Sequence, residues 1–479
     1  MDDRIYEFFY LILNHDGTKL KIYPEAKKFF PHFPDILERK SLTLVDYNAP
    51  LKVDVILISL KDIKKIKDLT LSLNPNGKVL FFKSKRDFLS LKKEKVSLFN
   101  KFFYIEEYGI LPSIKNPRWI IPLVNPKVSA SSLNIYQPSL FIPKIVKKLA
   151  QVSFLFNGKR YLPLDKFFIL SNSPSSFIYN IIKQSFSSSP IYLSLFTGTP
   201  GYYRKVCFQI MDEKGDILAY AKLAETPQTK NLTENEAKVL LYLDKLNIKT
   251  SAYPKLIFYK DFSRYSLLIQ SACPKPFWLR NFSITKNHLL FLEELYRKTS
   301  KANQLPFYQL ESFVKIQQRV DRILLSIPSE WIERFLNGFE KIRDYIPMAL
   351  SFSHGDFTPW NTSIKDGKLY TFDWEYATYD DPPLMDLFHF YIQPAVLVKK
   401  KPADFIARDV IAKTYIYLNK IFPSLSEDER YRTVVNLLIF YLMKMSSLYL
   451  EANILSKQPV TDKRLLKAWG DILDTQLMK

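Results

Sequence analysis

The residues best suited to chemistry lie in Phe352-Ser-His-Gly-Asp-Phe-Thr-Pro-Trp-Asn-Thr-Ser-Ile364, followed by Lys-Asp-Gly-Lys and Leu369-Tyr-Thr-Phe-Asp-Trp-Glu-Tyr-Ala377. Two short strands flank the Asp366-Gly367 turn, so the second doubles back on the first. The fold-back brings Asp373 near Asn361 and Asp356, gathering two carboxylates and one amide oxygen. Hard oxygen donors of this sort suit Mg²⁺, which keeps waters and substrate phosphates as its remaining ligands. With Asn361 and Asp373 on the metal, Asp356 is left to accept a proton from an attacking hydroxyl. The plainer alternative is a solvated hairpin with incidental acids.

A second set of residues suits phosphate handling. In Phe196-Thr-Gly-Thr-Pro-Gly-Tyr-Tyr-Arg-Lys-Val206, Gly198 and Gly201 lead into a strand that alternates at Val206, Phe208 and Ile210. Asp212-Glu-Lys-Gly-Asp216 is a hairpin turn, and Ile217–Leu223 returns with Lys222 near its end. Such a loop can present backbone N–H groups to phosphate oxygens, although a glycine pair also fits an ordinary loop. Thr233-Glu-Asn-Glu236 opens a helix. Glu236 either completes a capping box with Thr233 or pairs with Lys222, holding its ammonium toward a nucleotide phosphate. Leu267–Cys273 reads as a strand entering a proline, a hinge whose backbone could bond an adenine edge.

The elements that must position these groups follow a recognisable order. His354-x-Asp356, Asn361 five residues later, Asp373 in Asp-Trp-Glu and Asp380-Asp-Pro-Pro-Leu-Met-Asp-Leu-Phe-His-Phe390 resemble the catalytic core of the aminoglycoside phosphotransferase and choline kinase superfamily. The resemblance covers about residues 190–479. It implies a small-molecule kinase with an α+β, bilobal, protein-kinase-like fold and a mostly helical C-lobe, using ATP and Mg²⁺. By position it makes Asp356 the base, Asn361 and Asp373 the metal ligands, Lys222 the contact to the α/β-phosphates and Glu236 its orienting partner. His354 and Asp386 become supports of the catalytic loop. Gly198 and Gly201 fit the nucleotide loop only loosely.

Ahead of this region, Val53–Leu60 is a near-continuous apolar run, as in a strand buried on both faces. Ile63, Ile66 and Leu69 have helical spacing, Asn74-Pro-Asn-Gly77 is a turn, and Lys78–Phe82 is a second strand. This is a βαβ unit with a parallel sheet. A charged helix from about Arg86 to Phe99 and strands over 102–111 and 118–123 follow. The order resembles the second half of a class I methyltransferase fold. No glycine stands between Gly17 and Gly77 to bring backbone amides to a cofactor, so a trimmed, non-catalytic α/β domain is expected. The expected organisation is 1–125 methyltransferase-like, 126–190 connector with a helix over Leu140–Leu149, 191–273 kinase N-lobe and 274–479 kinase C-lobe.

The 479 residues suffice for roughly two to four domains. Two cysteines, Cys207 and Cys273, exclude a disulfide scaffold. The acidic start without a small-residue cleavage site, and the interrupted run Val434–Met443, lead us to expect a cytoplasmic protein. The formal charge is +21, and residues 51–200 hold +15 of it. That surface favours an anionic partner, with a membrane surface as one reading and a solvated lysine-rich face as the other. No arginine-rich tail or zinc-finger spacing points to nucleic acid. His15, His32, His288 and His389 are scattered without metal spacing. Trp360, Trp374, Glu375 and Tyr376 either cage a cationic amine or pack the fold. The expected partners are a nucleotide and a small hydroxylated acceptor, a sugar or glycoconjugate by preference. The rivals are a pseudokinase binding module and a membrane-surface scaffold.

Overall fold

The computed structural model describes residues 10–11, 18–24, 42–46, 48–59, 69–83, 104–135, 141–156, 162, 164–172, 176–186, 190–198, 201–272, 282–456 and 463–478. The chain divides into two compact units. The first comprises Met1–Thr199, Lys205–Ala224 and Leu267–Ala272, the second Pro200–Arg204, Glu225–Ser266 and Cys273–Lys479.

The first unit is built on strands β1 (Thr18–Ile22), β2 (Leu42–Val45), β3 (Val53–Ser59), β4 (Leu73–Lys83), β5 (Tyr104–Ser113), β6 (Asn116–Pro122), β7 (Asp165–Ser171), β8 (Tyr192–Phe196), β9 (Val206–Met211), β10 (Ile217–Ala224) and β13 (Ser266–Ser271). Their order across the sheet is β13-β10-β9-β8-β6-β5-β7-β4-β3-β1-β2. The end holding β4, β3, β1 and β2 is parallel, as the βαβ pattern requires. Ile56, Leu57 and Ile58 are fully buried, so β3 is covered on both faces. From β7 to β10 the neighbours run antiparallel. The expected strands over 102–111 and 118–123 are the β5–β6 hairpin. Of the helix expected after β3, only Leu69–Ser72 is described, as a single 3₁₀ turn. The helix expected over 86–99 lies outside the described residues.

The stretch 126–190, expected to connect, supplies helices α1 (Pro126–Ser132), α2 (Phe141–Leu155) and α3 (Phe177–Gln184) and the interior strand β7. In β7, Phe167, Phe168, Ile169 and Leu170 are buried, and Phe168 meets Phe81 of β4 with ring centroids 5.7 Å apart. The strand is hydrophobic enough to be central, and its pairing with β4 and β5 is long-range.

The second unit is mainly helical: α4 (Pro227–Leu246), α5 (Lys286–Thr299), α6 (Glu311–Ile323), α7 (Ser329–Ile342), α8 (Met385–Leu397), α9 (Ala403–Ile421), α10 (Glu427–Leu455) and α11 (Lys463–Leu477). It adds the short strands β11 (Ser251–Ala252), β12 (Leu256–Asp261), β14 (Lys301–Ala302), β15 (Ala349–Ser353), β16 (Thr362–Lys365), β17 (Lys368–Thr371) and β18 (Thr378–Asp381). Helix α10 is long and apolar enough to cross a membrane by composition alone, yet Val434 and Leu437 through Leu442 are buried in this unit's core. Helix α4 starts at Thr226, not at Thr233. The Thr226 hydroxyl accepts from Thr229 N, and Pro227 occupies the first turn, where its missing N–H costs nothing. Thr233 is therefore a buried mid-helix residue whose hydroxyl bonds Thr229 O, and the capping-box alternative for Glu236 fails.

Candidate functional site

β16 and β17 pair antiparallel with Thr362 opposite Thr371 and Lys365 opposite Lys368. Asp366 and Gly367 both take positive φ, 51° and 73°, as a two-residue hairpin turn demands. The hairpin returns the chain so that Phe372 N donates to Asn361 O at 3.1 Å. The fold-back expected from the sequence is thus present.

The loop after β15 is held by a buried carboxylate. Asp386, in the first turn of α8, accepts from His354 N at 2.8 Å and Gly355 N at 3.0 Å. Burial pushes the Asp386 carboxyl upward, while His354 and the two N–H bonds oppose the rise. Gly355 has φ +79°, and a Cβ there would stand 2.1 Å from the Tyr376 carbonyl oxygen, so only glycine fits. The buried His354 ring donates from Nε2 to Phe372 O (3.2 Å) and accepts at Nδ1 from Asp356 N (3.3 Å). Those bonds need a neutral imidazole, and burial lowers its pKa accordingly.

Asp356 is fixed on both oxygens. Asn361 Nδ2 donates to its Oδ2 at 2.7 Å and to its backbone oxygen at 3.0 Å. Both amide hydrogens of Asn361 are thereby committed to Asp356, and Asn361 Oδ1 is the atom directed elsewhere. His389 Nε2 lies 2.9 Å from Asp356 Oδ1, and Tyr441 OH lies 3.0 Å from His389 Nδ1. With the tyrosine donating, the relay reads Tyr441 O–H to Nδ1, then Nε2–H to Asp356. Sequence spacing passed over His389: it stands alone in the chain and reaches Asp356 only because α8 passes behind the loop. The tetrapeptide Asp386-Leu-Phe-His389 is the one signal, since an aspartate and a histidine three apart share a helix face.

Asp373 follows the hairpin with φ 71°, a left-handed conformation uncommon outside glycine. Its carboxylate groups with those of Glu236 and Glu375, with one oxygen from each lying within 4.8 Å of the others. Glu236 is fully buried and Glu375 nearly so. Carboxylates this close repel one another, and a divalent ion or an ammonium among them would offset that repulsion. Asn235, next to Glu236 on α4, donates to the backbone oxygens of Glu375 and Ala377, both at 3.0 Å, which fixes the helix against this segment. From the sequence, Glu375 enters only as part of an aromatic cage. Trp374, another residue of that cage, is fully buried and tilted on the His354 ring at 4.2 Å, so it packs the core.

The remaining expected residues fall as follows. Lys222 is buried on β10, opposite Cys207 of β9, in the first unit. Gly198 and Gly201 have φ of 86° and 156°. Tyr203, just past Gly201, meets the Tyr376 ring edge-on at 6.1 Å, and burial together with Glu451 pushes its pKa up to about 12. Glu451 of α10 in turn binds Arg319 and Arg322 of α6, at 3.2 and 2.7 Å. Cys273 lies outside the described residues.

Comparison with known proteins bears on this geometry. Residues 299–414 match the phosphotransferase enzyme family. The matched stretch carries Asp356, Asn361, Asp373, Asp386 and His389. No curated protein matches the chain. Among solved structures, an amicoumacin kinase in complex with AMP-PNP and Ca²⁺ is 12% identical, with a TM-score of 0.40 over 62% of this chain and 93% of that one. A Plasmodium vivax ethanolamine kinase is 14% identical, with a TM-score of 0.36 over 73% of this chain and 93% of that one. A spectinomycin phosphotransferase in complex with ADP is 12% identical, with a TM-score of 0.38 over 60% and 92%.

Proposed function

We propose that the protein is an ATP-dependent phosphotransferase acting on a hydroxyl of a small molecule, a sugar or glycoconjugate by preference. The observation that carries the reading is the Asp356 carboxylate, gripped on opposite oxygens by Asn361 and His389; the second unit also gathers the Asp373, Glu236 and Glu375 carboxylates. Asn361 Oδ1 and Asp373 would hold Mg²⁺, with Glu236 or Glu375 within reach of the same ion. All are hard oxygen donors, and the ion when bound supplies charge neutralisation for the transferring phosphate.

Phosphoryl transfer asks a protein mainly for positioning and charge. Asp356 accepts the proton of the acceptor hydroxyl. The bonds to Asn361 and His389 fix its plane, so no rotamer entropy is spent at that moment. His389 remains a donor to Asp356 and takes no proton from it. Lys222, on β10 of the first unit, is suited by its place in the sequence to a nucleotide phosphate. Tyr203 and Tyr376 offer ring faces for an acceptor with an apolar face, such as a sugar.

Removing the base separates binding from chemistry. Asp356→Ala should bind Mg-nucleotide with near-parental affinity by calorimetry while turnover falls by ~10² or more, the usual contribution of a general base. Parental turnover in that variant on any accepted hydroxyl would remove Asp356 from the mechanism.

A further inference from the structure

Helix α2 breaks the usual rule for a surface helix, which turns its apolar stripe inward and its charges outward. One side of it is anchored. Phe154 is buried with Ala130 and Leu133 of the neighbouring α1 segment, and Gln151 Nε2 donates to Ala130 O and Asn134 Oδ1 at 3.2 and 2.9 Å. Away from that anchor, Ile142, Ile145, Val146, Leu149, Val152 and Phe156 recur at three- and four-residue steps, so they share a face. That face is open: Ile142 is 73% exposed, Leu149 64% and Phe156 82%. A continuous apolar stripe left in water marks an interaction surface.

The charge around the stripe says what covers it. Lys144 and Lys148 stand one turn apart along one edge, and α2 itself contains no acidic residue. The surroundings extend this bias. Between Tyr108 and Met211 the chain holds twelve lysines and arginines and a single acid, Asp165. That acid is 3% exposed and accepts from Ile114 N at 2.7 Å, so it does little to offset the surface charge. A protein partner would commonly bring mixed charges. An apolar stripe edged by lysines within an acid-poor stretch of chain instead matches a bilayer, whose acyl boundary takes the stripe and whose anionic headgroups meet the lysines.

We propose that α2 lies in the interface of an anionic lipid bilayer, with Ile142, Val146, Leu149 and Phe156 inserted and Lys144 and Lys148 at the headgroup level. This surface is independent of the phosphotransferase reading, since α2 contributes no residue to the carboxylate site.

The test is co-sedimentation of the full-length protein with phosphatidylcholine vesicles and with vesicles that also contain phosphatidylglycerol. Pelleting is expected with the anionic vesicles and should weaken as salt rises past the point where headgroup charge is screened. Val146→Asp/Leu149→Asp should cut the pelleted fraction by about tenfold or more, and Lys144→Glu/Lys148→Glu should cut it with a weaker salt dependence. All four side chains are partly or fully exposed, and unchanged thermal melting would show that the fold persists; Ile142→Asp serves in place of any variant that melts early. Failure of the parental protein to pellet with anionic vesicles overturns the proposal. So does pelleting that ignores all these substitutions. A parental dimer that Val146→Asp/Leu149→Asp dissociates would also overturn it, assigning the face to a second copy of the chain.

Discussion

At the scale of single residues, the site depends on how Asp356 is held. His389 and Asn361 act on different oxygens of one carboxylate, so each removes a different part of its freedom. His389 is a positioning residue, buried to 2% and backed by Tyr441. A hydrogen bond to a charged group contributes ~1.5–3 kcal/mol, which in a rate is about one to two powers of ten. His389→Ala is therefore expected to lower kcat by that range and leave the nucleotide KM unchanged. His389→Gln, which keeps an N–H near the same point, should recover part of the loss. The double variant with Asp356→Asn should be no slower than Asp356→Asn alone; additive losses would show that His389 acts elsewhere. Gly355 gives a separate test. Any Cβ there meets the Tyr376 carbonyl, which is backbone and cannot swing aside, so Gly355→Ala should abolish turnover and lower the melting temperature. The sequence made the meeting of Asp356 with Asn361 and the hairpin that follows legible, because a five-residue step and a two-residue turn leave little choice of geometry. His389 was hidden, 33 residues away from Asp356, because what joins them is the path of a helix.

At the scale of elements, local chemistry decided some boundaries and long-range contacts decided others. Thr226-Pro227 is a stronger helix start than Thr233, because it offers both a hydroxyl cap and a proline with no N–H to lose. Reading that pair would have moved Glu236 into the helix interior from sequence alone. At the other end of α4 the chain turns at Asn247, φ 50°, and the following N–H groups of Lys249 and Thr250 donate to Glu294 of α5. Thr250 Oγ1 adds a bond at 2.6 Å. Burial alone would raise the Glu294 pKa, but these bonds and Lys298 overcome it and hold the carboxyl at about 2. Its pKa is thus lower in the folded chain than in the unfolded one, near 4.3. The stabilisation is fully present above the unfolded value and disappears as pH falls from about 5 toward 2. Glu294→Gln should lower stability at pH 7 by about 1.5–3 kcal/mol, the range for bonds to a charged group. The gap to the parental protein should narrow as pH is lowered through that window in urea titrations. An equal gap at pH 7 and pH 3 would mean that the charge contributes nothing and that only shape was lost.

At the scale of the whole molecule, the sequence made β3 to β6, β9, β10 and β13 of the first unit visible, but not β1, β2, β7 or β8, and not the order of the sheet. The parallel β3–β4 pair and the β5–β6 hairpin join neighbours in the chain, so pattern sufficed. β7 could not be placed that way, because its partners β4 and β5 precede it by some sixty to ninety residues, and nothing in Asp165–Ser171 names them. The same holds at the join between β6 and β8, which carries the sheet across the expected boundary at residue 190. Trp119 pairs with Phe196 and Ile120 with Leu195, and Thr197 Oγ1 donates to Pro117 O at 2.9 Å. Further along, Gln209 Nε2 donates to Ser131 O at 2.9 Å, and Asn125 Nδ2 donates to Glu213 O at 3.1 Å. The β9–β10 turn is pressed so close to the backbone that a Cβ on Gly215 would stand 2.7 Å from Lys127 O. A chain beginning at residue 191 would lose every one of these contacts. It would bare the β8 edge together with Leu195 and Phe208, both fully buried in the intact protein. Exposed, hydrophobic edge strands pair with one another. The expectation is that 191–479, although it contains every proposed catalytic residue, elutes as high-molecular-weight material on gel filtration and shows less than about a tenth of parental turnover, because β10 carries Lys222 within the sheet that is disrupted. A monodisperse 191–479 with parental kcat would mean that strands β8 to β10 hold their shape without β6, and that the first 190 residues serve the enzyme in some way other than completing its sheet.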